Sequence, residues 1–267
     1  AFRLPTEFLL LRPFPVSSYR WLAAVAVLAT VALCWRLVRD ASPVVQAVVL
    51  VGTAVWLAEL LPAVYLYAEI WALPWFVLGL VAIREERWAL AAVALALAVA
   101  TRELYLPALL VALVVAPAGR RRPFVVGLGA VAILGAVHWT LAGRELVEVG
   151  NEAPFAAFSG LAASVRSLLS PRPGQVLIAL PIGILTVVGA AGTARRWATD
   201  PTAKVLGVTA LAVTVATLYG GRVYWPLLTS PVLLAFVGAA LPARPARPAR
   251  HPVEEAPEAG AATWSPS

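Results

Sequence analysis

The chain has no methionine, one cysteine and two histidines, and Asp, Glu, Lys and Arg together make up only 13% of its 267 residues. A single thiol, Cys34, excludes an intrachain disulfide framework and a thiolate metal cluster, and is read as a small apolar filler inside a predicted helix. His251 sits in a polar tail and His138 stands beside Trp139, so no His-x-x-x-His ligand pair is present. A glycine-rich phosphate loop and a Gly-x-Ser-x-Gly elbow are also missing, which leaves nucleotide or metal chemistry of the soluble type without support. The chain opens at Ala1 with no basic-then-apolar signal segment, and we expect it to be a piece of a longer protein lacking its N-terminal part.

Charge is about half of what a soluble domain carries. In its place the chain is 61% hydrophobic, with apolar runs of bilayer-crossing length recurring from end to end. The expected fold is therefore all-α, a polytopic transmembrane bundle over residues 1–242. Residues 243–267 form a Pro/Ala/Arg-rich tail that cannot bury a core; we expect it to be disordered and cytoplasmic, its arginines on anionic lipid heads. About nine helices are predicted, near 21–36, 44–61, 63–83, 88–101, 104–117, 124–142, 176–193, 205–220 and 223–241.

Strict alternation puts Arg36, Arg39, Arg84, Arg87, Arg120 to Arg122, Arg195, Arg196, Lys204 and the tail arginines on one side, which the positive-inside rule makes cytoplasmic. The formal charge of +7 then reads as orientation in a membrane rather than as a nucleic-acid footprint. Trp35, Trp88 and Trp197 at inner ends, and Trp139 and Trp225 at outer ends, read as interfacial anchors. The Arg84-Glu85-Glu86-Arg87 turn is expected to need only water and headgroups. Residues 143–175 carry Phe155, Phe158, Leu161, Val165 and Leu168 at helical spacing, which predicts an outer helix lying in the interface.

Within this apolar chain Thr101-Arg102-Glu103 interrupts an Ala/Leu/Val stretch. A charge at bilayer depth costs a few kcal/mol, so such residues face a protein interior or a wet cavity. Residues 88–101 and 104–117 are predicted as two short helices, because one continuous helix would carry Pro107 in its interior and move Arg120 to Arg122 to the outer side. Fourteen residues rise only about 21 Å against a core of about 30 Å, so Arg102 and Glu103 at the tip would lie sunk below the outer surface. Glu59, Glu69 and Arg222 fall at outer helix ends too. Two readings stay open: a shared cavity, or separate residues that snorkel to the interface or pair for structure. One role open to Arg102 beside Glu103 is a structural ion pair that fixes the short hairpin; helical spacing turns neighbouring residues about 100° apart, which makes different partners the easier arrangement.

Ala68-Glu69, a basic turn, Thr-Arg-Glu with Leu-x-x-Pro-Ala-Leu-Leu (101–110), Ser-Pro-Arg-Pro-Gly (170–174) and Gly-Arg-Val-Tyr-Trp-Pro-Leu-Leu (221–228) follow one another in order. This pattern resembles the C-type integral membrane glycosyltransferases, which take sugars from polyprenyl-phosphate donors on the outer face. The resemblance implies transfer of a hexosyl or mannosyl group to an extracytoplasmic acceptor hydroxyl on a lipid, glycan or protein. It implies Glu69 and Glu103 as catalytic carboxylates, Arg102 and Arg222 on the donor phosphate, and Glu59, Tyr105 and Tyr224 lining the cavity. A divalent metal accompanies the phosphate in some relatives, although no metal-ligand motif is seen here. The first-loop aspartate of the family has no counterpart and would lie before Ala1. The rival reading is a membrane transporter or lipid-translocating protein, with the charges lining a pathway; no internal repeat supports it.

Overall fold

The computed structural model describes residues 13–15, 18–64, 68–142, 173–218 and 232–240. Those residues are all-helical, with no strand among them. Eight long helices follow in chain order: α1 Tyr19–Val38, α2 Pro43–Val64, α3 Ala68–Arg84, α4 Trp88–Thr101, α5 Leu106–Val115, α6 Arg122–Ala142, α7 Pro173–Arg196 and α8 Pro201–Leu218. A short α9, Val237–Ala240, and 3-10 turns at Glu103–Tyr105 and Ala118–Arg120 complete them. Each of the first eight predicted helices has its counterpart. The expected ninth (223–241) is described only over 232–240, and the expected interfacial helix of 143–175 and the tail lie outside the described residues except for 173–175, which open α7.

Local chemistry sets the helix ends. Asp200 starts α8 by accepting the Thr202 N–H at Oδ1 (2.8 Å), and Pro201 fills the first position, where no N–H is needed. Pro43 opens α2 the same way after Ser42. At the end of α3 the Arg87 N–H donates to Ala82 O (2.8 Å) and the Glu86 N–H to Ile83 O (3.0 Å), a Schellman motif with Glu86 at φ 56° in the position that favours glycine.

The middle of the bundle is α3. Ile70, Leu73, Phe76, Val77, Leu80 and Ile83 on several of its faces are all buried, as expected of a helix apolar all round. It packs most extensively on α4, then on α1 and α8; α2 lies against α1, α6 against α4, and α5 against α8. Gly79 makes the α3–α4 approach possible, since a Cβ there would stand 2.6 Å from Leu95 Cδ2. On the far side, α7 meets the 232–240 segment backbone to backbone, where a Cβ on Gly189 would lie 2.1 Å from Leu233 O.

The outside is apolar as well. Trp21, Leu28, Val44, Val114, Ile133 and Val187 are each more than two-thirds exposed, and further exposed Val, Leu and Ile side chains lie on every long helix but α3. Six threonines, among them Thr101, Thr193 and Thr209, turn their hydroxyls back to the carbonyl four residues earlier. By length and composition, α1 is the one helix among the described residues that qualifies to cross a membrane by itself; six further apolar helical stretches run 10–17 residues.

Candidate functional site

The hairpin of α4 and α5 breaks where the sequence reading places the break. Thr101 ends α4 with its hydroxyl on Leu97 O (2.8 Å), and Arg102 leaves the helix at φ −150°, ψ 116° while its N–H still reaches Ala98 O (2.8 Å). Glu103–Tyr105 form one 3-10 turn, and Pro107 stands in the first turn of α5, where its missing N–H leaves no orphan. Arg102 is therefore the junction of two short helices.

Its side chain is inside the protein, 6% exposed, and Nη1 donates to Glu103 Oε1 at 2.9 Å. The two neighbours pair with each other, the structural ion pair rather than the easier arrangement with separate partners. The extended backbone at Arg102 removes the 100° helical offset on which that arrangement rests. The second oxygen of Glu103, Oε2, is buried and accepts no hydrogen bond from the described residues, although the side chain as a whole is 42% exposed. One side of this carboxylate holds Arg102 and the other is left open to a donor. Tyr105 is 3% exposed with its ring 4.8 Å from Phe76, so it belongs to the core under the turn.

Register places Glu69 nearby. The short turn between α3 and α4 makes them antiparallel, and Leu95 sits over Gly79. Six residues further along α4, Thr101 comes level with Leu73 on α3, and Glu69 stands one helical turn, about 6 Å, farther out. Glu59 lies sixteen residues along α2 from Pro43, toward the same end of the bundle. The side chains of Glu59 and Glu69, and all of Arg222 and Tyr224, lie outside the described residues. Among the described residues no group of three or more His, Cys, Asp or Glu is placed to hold a metal ion.

The opposite end corrects two expectations. Glu85 is not left to water: Arg36 grips it in a fork, Nε to Oε1 at 2.6 Å and Nη2 to Oε2 at 3.0 Å, with Arg39 and Arg87 within 3.9 Å. The Arg36 hydrogen bonds hold the Glu85 carboxyl below its ordinary range. Arg84 donates to Leu37 O and pairs with Asp40 at 3.4 Å, closing the C-terminus of α1. Trp88 is 8% exposed and packs edge-on against Phe124 with centroids 6.4 Å apart, so it is a core contact rather than an interfacial anchor, whereas Trp35 and Trp197 are exposed as expected. The sequence separation of 49 between Arg36 and Glu85 explains why no local pattern shows their pairing.

An open groove of about 470 Å³ runs between α2 and α7, lined by Val48, Val51, Gly52, Val55, Pro181 and Leu185 among others. Every lining residue is apolar, so the groove offers packing and no chemistry. Its signal in the sequence is small residues at helical spacing, which core packing produces equally well. No family model, no curated protein and no solved structure matches the chain.

Proposed function

We propose that the chain is a polytopic membrane protein that transfers a sugar from a polyprenyl-phosphate donor to an acceptor hydroxyl on the side opposite its basic rim. The observation that carries this reading is the Arg102 guanidinium, buried at a helix break and held by Glu103. A buried arginine in apolar surroundings is costly to keep, and its geometry suits a bidentate anion such as a phosphate oxygen pair. The apolar exterior and the back-bonded threonine hydroxyls support a lipid environment.

In this reading Arg102, with Arg222, stabilises the charge that builds on the departing lipid phosphate. Glu103 positions Arg102 through the 2.9 Å contact. Glu69, one turn farther out on the neighbouring helix, takes the proton of the acceptor hydroxyl as it attacks the anomeric carbon; the bond from that carbon to the phosphate oxygen breaks and the configuration inverts. A divalent metal at the phosphate stays open in this reading.

The test is glycan product in membranes holding the full-length parent protein. Arg102→Ala should lower turnover per folded protein about 10²–10³-fold, the range for loss of one charge-stabilising donor. Glu69→Gln should do so while donor binding is retained. Product at the parental rate from Arg102→Ala would reject the assignment.

A further inference from the structure

Six of the arginines at the basic end divide into two kinds. Arg36, Arg84 and Arg121 are turned onto the protein: Arg36 onto Glu85, Arg84 onto Leu37 O and Asp40, and Arg121 onto Ala116 O (3.0 Å) and Val114 O (3.3 Å) at the C-terminus of α5. They close helix ends, where cations meet the negative end of the helix dipole. All six are exposed, but Arg120 and Arg122 make no side-chain hydrogen bond or ion pair among the described residues, and Arg87 makes only a 3.9 Å approach to a Glu85 already gripped by Arg36.

These three belong to adjacent turns. Arg87 precedes Trp88, Arg120 and Arg122 precede Phe124, and the Trp88–Phe124 contact joins the α3–α4 turn to the α5–α6 turn. The surface just beyond them is apolar: Val93, Val114, Val125 and Val126 are all more than half exposed. A cationic rim with exposed apolar side chains on the helices that leave it matches a molecule with an anionic head and hydrocarbon chains. A nucleic acid or an acidic soluble protein would satisfy the rim and leave those side chains against water.

We propose that Arg87, Arg120 and Arg122 form a binding site for the phosphate of an anionic phospholipid, with Arg36, Arg84 and Arg121 serving the fold alone. The proposal shares with the proposed function only its membrane setting and not its transfer chemistry.

The experiment titrates phosphatidylglycerol, phosphatidylcholine or inorganic phosphate into the full chain in an uncharged detergent and reads bound lipid by native mass spectrometry. Each basic residue at an anionic surface strengthens association about fivefold, so Arg87→Gln with Arg120→Gln and Arg122→Gln should weaken phosphatidylglycerol binding on the order of 100-fold. The triple lysine variant should stay within a few-fold of the parent, which guards against misfolding as the cause. The assay reads bound lipid and no glycan product, so failure of the sugar-transfer reading is seen separately. Parental binding by the triple glutamine variant, equal binding of phosphatidylcholine, or displacement of the lipid by inorganic phosphate would each overturn the site.

Discussion

Arg102 leaves α4 in an extended conformation, and that one dihedral change decides what its side chain can reach. Removing the guanidinium strands Glu103 with both oxygens short of a donor, so Arg102→Ala should lower stability by about 1–3 kcal/mol, read as a drop in the thermal midpoint in detergent. Glu86 carries backbone strain of a different kind. At φ 56° an L side chain is disfavoured, and Glu86→Gly should raise stability by roughly 0.5–1 kcal/mol in the same assay. Glu85 links the basic end to pH. Because Arg36 lowers its folded pKa beneath the ordinary 4.5, its contribution to stability is present above that pH and is lost as the pH falls through the folded value. Glu85→Gln should therefore be less stable than the parent at neutral pH, and the difference should shrink in acid. At this scale the sequence displays Arg102 and Glu103 as out of place in apolar surroundings, yet it hides their pairing, since the turn geometry that allows it is a tertiary outcome.

Helix existence was legible because apolar runs and proline positions set it: Pro107 divides α4 from α5, and Pro43 and Pro201 open α2 and α8. Helix neighbours were not legible, because α3 and its partners are apolar on every side and no stripe marks which faces meet. Glycines carry that information only after folding. Gly189 stands against the Leu233 backbone, which cannot swing aside, whereas a Cβ at Gly183 on the same helix meets nothing within 4 Å. Gly189→Ala should destabilise by about 1–3 kcal/mol through forced backbone shift, and Gly183→Ala should stabilise by about 0.5–1 kcal/mol through helix propensity. Thermal unfolding of the two variants side by side checks the α7 packing directly, since the same chemical change is expected to act with opposite sign.

Across the molecule, the basic turns at 36–43 and 84–88 interlock through Arg36–Glu85 and Arg84–Asp40, and Trp88–Phe124 draws the 116–122 turn to the same end. These basic turns therefore lie at one end of the bundle. The helices that end there, α1, α3 and α5, bring their negative dipole ends to their arginines, so topology and capping favour the same placement. Arg102 and Glu103 lie at the opposite end of α4. The proposed membrane bundle has a basic rim on one side and a recessed charged tip approached from the other. Single-cysteine labelling in a Cys34→Ala background of sealed vesicles tests it most directly. Arg87→Cys and Arg120→Cys should react with an impermeant maleimide from one side only, and Glu103→Cys should react from the other side with a small thiosulfonate while resisting the bulky reagent. Labelling of Glu103→Cys from the same side as Arg87→Cys would contradict the account.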